Sequence, residues 1–424
     1  IPTGTRAEAI EKNLEGAFYK VEKIKAEQTK RRPSPPFTTS TLQQEAWRKL
    51  RFSARKTMMV AQQLYEGLPL IDKGSTGLIT YMRTDSTSLS VSAVVETRKF
   101  INEQFGENYL PKEPRVYKTK SKGAQEAHEA IRPTAIYRKP EAVANSLTKD
   151  QHRIYELIWR RMVASQMADA IYATTTVDIE ATCPKSDDIY AFRSTGSQPK
   201  FLGFITLYQE SKDETAEDVT TSSLPKMDPG DILCFLGLNP RQHFTKPPPR
   251  FTEASLVKLL EEGGIGRPST YAPILSTIVD RNYVLKDQGR LKPAMLGIQV
   301  SDLLTEFFPS VMDMNFTAHM EDELDDIAKG ERQWVPMLEN FYFPFKETLD
   351  EAQEKMPRVK VEEPTDELCT ECNSPMVIKT GRFGRFMACS TFPECRNTKP
   401  ILKRTGVLCP KCKGDLVERR SKGK

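Results

Sequence analysis

Near the C-terminus, Cys369-x2-Cys372 is followed after 16 residues by Cys389-x5-Cys395, and this spacing constrains the fold more than any other feature. Two knuckles at that separation read as a zinc ribbon, in which four thiolates close a tetrahedral site, although the second knuckle is wider than the commonest form. Clustered CxxC pairs in a chain that opens with no secretory leader favour a metal over disulfides. Between the knuckles, Arg382-Phe383-Gly384-Arg385-Phe386 interleaves cations with aromatics. Such a surface stacks bases and holds phosphates of a single-stranded nucleic acid, or else Phe383 and Phe386 fill a very small core. Cys409-x2-Cys412 opens a second ribbon that reaches Lys424 without two further ligands, so this end is expected to be weakly metallated or unstructured. Cys183 and Cys234 stand alone in apolar surroundings and are expected to be reduced core residues.

Charge separates that end from the rest. From Cys369 onward 13 Lys+Arg face 4 Asp+Glu, a balance of +9, whereas the preceding 368 residues carry 49 against 53, or −4. A basic appendage on a near-neutral body suggests a polyanionic partner. At 424 residues the chain is too long for one ordinary domain, and it holds no run of 18 apolar residues that would span a membrane. It opens on Ile1 rather than Met, which is expected of a piece of a longer protein.

Gly77-Leu-Ile-Thr-Tyr81-Met-Arg83-Thr-Asp-Ser86 carries the chemistry. A short apolar run opened by Gly reads as a strand, and period-two alternation puts Tyr81 and Arg83 on one face. A phenol of pKa about 10 is a weak nucleophile, but an adjacent fixed cation favours the phenolate. The same cation neutralises charge growing on a phosphoryl group under attack. A buried aromatic with an exposed Arg two residues on is the commoner use of such a pair.

His128 and Arg132 sit four apart in a helix-prone segment stopped by Pro133, which would place them on one face. A zinc-protease helix would need His where Arg132 stands, so that reading fails, and a solvated helix face remains the plain alternative. Gly263-Gly-Ile-Gly-Arg267-Pro268 leads into a helix whose first turn holds Ser269 and Thr270. Free amides, two hydroxyls and Arg267 make a phosphate site, or simply an interhelical turn. No Gly-Lys-Ser/Thr follows, so this is not a nucleotide loop. The acidic run Glu321, Asp322, Glu323, Asp325 and Asp326 reads as the solvated face of an amphipathic helix marked by Met320, Leu324 and Ile327.

Ser40 with Gln43 reads as a capping box, Ser53 and Ser90 as N-caps, and Gly67 and Gly106 as helix stops. From Ala170 to Leu238 the texture changes to β-branched runs and turns. Helices over Thr252–Glu262 and about Ser269–Arg281, then a hairpin over Tyr283–Lys292 with Gly289 in its turn, follow the order of a winged helix-turn-helix.

Leu78-Ile-Thr-Tyr-Met-Arg-Thr-Asp-Ser86 resembles the active-site signature of type IA DNA topoisomerases, bacterial topoisomerase I in particular. Pro36-Phe-Thr-Thr-Ser-Thr-Leu-Gln-Gln44, Ala127-His-Glu-Ala-Ile-Arg-Pro-Thr134, the run Gln242 to Leu256 and Gly264-Ile-Gly-Arg-Pro-Ser-Thr-Tyr-Ala272 are similar to the same family and stand in its order. The resemblance covers the chain from about Phe37 to its end. It implies a multidomain α+β arch, with helical winged-helix-like domains and a β-rich hinge, followed by a zinc ribbon. The implied domains are 1–37 with 168–238 for the hinge, 38–167 for the tyrosine, 239–352 for a helical DNA-binding domain, 353–368 as linker, 369–404 for the first ribbon and 405–424 for an incomplete second one.

The resemblance implies that Tyr81, helped by Arg83, attacks a DNA phosphodiester and becomes joined to the 5′ phosphate. It places Arg267, Ser269 and Thr270 against the strand to be cut, and has His128 and Arg132 touch DNA phosphate or support the tyrosine. It further implies relaxation of negative supercoils without ATP by a cytoplasmic, nucleoid-associated monomer acting on single-stranded and negatively supercoiled DNA. Zn2+ would sit in the ribbon, and Mg2+ on an N-terminal Toprim domain bearing a catalytic Glu and Asp-x-Asp. This sequence contains no Asp-x-Asp, so the 424 residues alone are expected to be inactive. The rival reading is a non-enzymatic single-strand-binding zinc-ribbon protein that retains the scaffold.

Overall fold

The computed structural model describes residues 1–70, 74–117, 128–184, 187–211, 224–357, 363–381, 384–401, 403–408, 410, 412 and 415–418. The chain divides into two compact units, one of Ile1–Thr277, Asp287–Leu291 and Thr317–Asp325, the other of Ile278–Lys286, Lys292–Phe316 and Asp326–Lys424. Among the described residues, no helix is long and apolar enough to cross a membrane.

Local signals set the helices of the first unit. In Ala54–Glu66 the Ser53 hydroxyl accepts from the Lys56 amide at 3.2 Å, and Gly67, at φ +107°, ends the helix. Val91–Phe105 is capped by Ser90 and stopped at Gly106, and Lys149–Ser165 opens on a Thr148/Gln151 capping box. These helices bury Val60, Leu64, Phe100, Ile101, Ile154 and Ile158 with Phe37, Leu78, Ile79 and Ile131 in one core. Each such side chain contributes about 1.5–3 kcal/mol relative to exposure. One cap differs from expectation. Thr38, not Ser40, caps the helix Thr39–Glu45, in a box with Thr41. Ser40 lies inside the first turn, where its hydroxyl donates to Glu261 at 2.6 Å.

The β-rich part is an antiparallel sheet in the order Ile189–Phe201, Ala170–Thr182, Phe18–Arg31, Ile232–Leu233. The strand Phe18–Arg31 pairs along its whole length with Ala170–Thr182, so the opening segment and the 170–201 hairpin form one sheet. Arg161, 2% exposed, ties the helical core to the segment after this sheet. It donates to the Pro35 carbonyl at 2.6 Å and to Glu210 at 2.9 Å, and packs against Phe37 and Tyr208. Cys183 is buried as expected, but Cys234 is exposed, just past the two-residue edge strand Ile232–Leu233 and next to the exposed Phe235 and Leu236.

In the second unit, Phe308, Phe316, Phe341 and Phe345 pack with ring centroids 5.3–6.0 Å apart along the helix Trp334–Lys355 and its neighbours. A four-stranded sheet then follows in the order Thr398–Pro400, Gly384–Cys389, Pro375–Gly381, Glu363–Leu368. The last strand falls where a linker was expected. Pairing with Pro375–Gly381 supplies backbone partners that a free linker would lack.

Candidate functional site

Tyr81 does not lie in a strand. Its segment is extended but bent, with one bridge at Ile79, to Pro133. The alternation nevertheless holds: Met82 and Thr84 are buried at 3% and 1%, while Tyr81 and Arg83 face outward. Gly77 makes the approach possible, since a Cβ there would stand 2.7 Å from the Tyr65 carbonyl oxygen at the end of the preceding helix.

Two threonine hydroxyls hold the loop from either side. The Thr80 hydroxyl donates to the Ala130 carbonyl at 2.7 Å and accepts from the Arg132 amide at 3.0 Å. The fully buried Thr39 donates to the Met82 carbonyl at 2.7 Å and accepts from the Thr84 amide at 2.9 Å. Tyr81 and Arg83 are thus presented between two clamps. Neither threonine was singled out in the sequence. A hydroxyl at a helix start reads as a cap, and nothing local signals a partner 43 residues away.

His128 and Arg132 are not helical, contrary to expectation. Residues 128–133 are extended, with a bridge from Ile131 to Phe37. A residue before proline is biased away from the helical region, and bridging takes the amides a helix would need. The ring of His128 reaches Tyr81 at 5.5 Å between centroids, and Tyr65 meets Tyr81 edge-on at 5.4 Å. Arg132 points into structure instead. Its guanidinium donates to Glu129 at 2.6 Å and to the Pro133 carbonyl at 3.0 Å.

A cavity of about 290 Å³ is lined by Tyr81, Arg83, Asp85, His128, Arg267, Ser269 and Asp325. Arg267 enters from the turn between two helices, which Thr270 closes by accepting from the Arg267 amide at 2.8 Å. Thr270 is therefore a turn cap, while Ser269 stands on the cavity wall. Two of the five acids read as a solvated face do something else. Asp325 accepts from Arg267 at 2.9 Å and Glu321 lies 3.6 Å from it, whereas Leu324 is 49% exposed. Burial alone would lower the Arg267 pKa, but these two carboxylates outweigh it and raise it. The result is a phenol, two guanidiniums and an imidazole around one opening, able to take a phosphodiester.

In the second unit, the four thiols of Cys369, Cys372, Cys389 and Cys395 lie within 4.8 Å of one another. Cys369 and Cys395 are 3.7 Å apart and Cys372 and Cys389 3.3 Å, near the roughly 3.8 Å that a tetrahedron with Zn–S of about 2.3 Å requires. The Ser374 backbone amide, with its hydroxyl and Cys389, draws the Cys372 thiol down to about 6. Cys395 is drawn down by the Asn397 amide but pushed further up by burial and the other thiols, to about 12. Only a central cation lets all four ionise, so the set fits zinc. Asn397 donates to Cys369 at 3.3 Å and braces it. Phe386 pairs across the sheet with Lys379, and Arg385 occupies the position opposite Thr380. Arg382, Phe383, the side chain of Arg385 and Cys409 lie outside the described residues.

Comparison with known proteins adds three findings. A family described as DNA topoisomerase matches residues 1–339. A family described as topoisomerase DNA binding C4 zinc finger matches residues 366–404 and 406–424. Full-length topoisomerase I from Thermotoga maritima is similar in structure, with 36% identity and a TM-score of 0.70, over 94% of this chain and 62% of that one. This chain thus spans less than two thirds of that relative's length.

Proposed function

The chain belongs to the type IA DNA topoisomerase family, and on that premise we propose that Tyr81 is the nucleophile that opens a single DNA strand. The observation that carries this is the shared cavity of Tyr81, Arg83, His128, Arg267 and Ser269. The Tyr81 oxygen attacks phosphorus, loses its proton and takes the 5′ phosphate, while the bond to the 3′ oxygen breaks and that oxygen gains a proton. Arg83 and Arg267 offset charge on the phosphoryl oxygens, and Ser269 helps to position them. Reversal reseals the strand. One ester is exchanged for another, so no ATP is needed, and passage of a second strand relaxes negative supercoils.

The zinc ribbon, with its basic surroundings, holds single-stranded DNA in this reading, and the protein works as a cytoplasmic monomer. The family resemblance puts the proton donor and the magnesium-binding acids in a Toprim domain. Without general acid catalysis the rate falls by about 10²–10⁴, so the 424 residues alone bind single strands but do not relax plasmid. Two measurements test this. Protein extended upstream by a Toprim domain should retain a 3′-labelled oligonucleotide after denaturation, and its Tyr81→Phe variant should not. A trapped strand on Tyr81→Phe would sink the assignment. Relaxation of supercoiled plasmid with magnesium by the 424 residues alone, abolished by Tyr81→Phe, would show that the proton donor lies within them.

A further inference from the structure

A second cavity, of about 370 Å³, opens beside the first and shares Arg83, Pro268 and Ser269 with it. The helix Ala54–Glu66 supplies Met58, Met59 and Gln62, and the helix Tyr271–Asp280 supplies Ala272, Pro273 and Thr277. Thioethers, a proline ring and a methyl group give an apolar, polarisable wall that adapts to a flat ring. Gln62, whose amide donates to Glu66 at 2.7 Å and is held by it, brings hydrogen-bonding capacity, as does the hydroxyl of Thr277. The lining includes two arginines, Arg55 and Arg83, and no carboxylate, unlike the first cavity with its Asp85 and Asp325. An apolar wall faced by polar groups and a cationic edge suits an aromatic ring attached to an anion.

We propose that this cavity holds the base of the nucleotide on the 3′ side of the scissile phosphate, the nucleotide that stays joined to Tyr81. Arg83 lines both cavities, so it stands between phosphate and base and sets their separation. The cavity then ranks cleavage sites by how well the base at that one position fits. This inference rests on the tyrosine reading above. Continuity with the phosphate cavity through Arg83, Pro268 and Ser269 favours a nucleobase over an acidic peptide or a lipid.

The test is fluorescence anisotropy of the full chain with a short single strand carrying a 5′ phosphate, compared with the same strand made abasic at its first nucleotide. Loss of one stacked base should weaken binding on the order of tenfold. Thr277→Trp, which fills the cavity from an exposed helix position, should erase that difference, and an unaltered thermal melting curve shows that the variant folded. Gln62→Ala should shrink the difference. Equal affinity for the two strands, a larger penalty at another nucleotide, or a penalty untouched by Thr277→Trp would each overturn the proposal. If the 5′ phosphate and Arg83→Ala affect binding while the first base does not, only the base cavity is lost. If neither the phosphate nor Arg83→Ala matters, the tyrosine-site reading fails with it.

Discussion

The guanidinium of Arg267 donates to the carboxylate of Asp325 across 2.9 Å on the wall of the cavity that also contains Tyr81. The proposed phosphate site therefore already holds an anion of its own. On the proposed reading, the pair orients Arg267 before any strand arrives, and an incoming phosphate would share that guanidinium with Asp325 and Glu321.

Asp325→Asn should accordingly raise the affinity for single strands, by up to about tenfold at low ionic strength, with the gain shrinking as salt screens it. Glu321→Gln should do less, because its contact is longer, at 3.6 Å. Binding titrations at two salt concentrations check this. Unchanged affinity in both variants would place the ion pair away from the phosphate path.

Thr39→Val keeps the shape of the side chain but removes the hydroxyl that serves Met82 and Thr84. Leaving those buried groups unpaired should cost about 1–3 kcal/mol of stability, read from the urea midpoint. Strand cleavage by Toprim-extended protein should fall further than strand binding, since the loss disorders the Tyr81–Arg83 geometry rather than the charge.

Burial pushes the Glu210 carboxyl up, but Arg161 and the Ser34 hydroxyl outweigh it and hold it below the ordinary range. A depressed folded-state pKa contributes stability that is full above the unfolded value and is lost as pH falls through the folded one. Melting temperature should therefore decline below pH about 4.5 in the native chain. In Glu210→Gln that part of the decline should be missing. Identical acid profiles would refute the linkage.

One tightly held zinc ion per chain is expected at Cys369, Cys372, Cys389 and Cys395. Metal analysis after mild chelator washing should find it, and Cys372→Ser should abolish it. Four readily alkylated thiols in the untreated protein would contradict the site.

Deleting residues 369–424 removes +9 of charge. The slope of log affinity against log salt for single strands should flatten, because fewer counterions are released. An unaltered slope would mean the basic end makes no phosphate contacts.

Short-range features were legible in the sequence. Ser53 and Ser90 cap helices because a cap needs only a hydroxyl and amides three residues on. Gly67 and Gly106 stop helices at positive φ. The cysteine spacing announced a metal cluster, and the outward alternation of Tyr81 and Arg83 held even where the strand did not. The family motifs pointed to an α+β topoisomerase scaffold.

Only the tertiary structure decided how distant segments meet. It turned Glu321 and Asp325 toward Arg267, 58 residues before Asp325, and placed Thr39 and Thr80 as clamps on the tyrosine loop. It drew residues 128–133 into bridges and left Arg132 paired with Glu129. The physical reason is one of range. Capping and metal-knuckle geometry are satisfied within a few residues, so composition and spacing reveal them. Ion pairing, burial and bridge formation depend on which surfaces the whole chain brings together, and no local pattern encodes that choice.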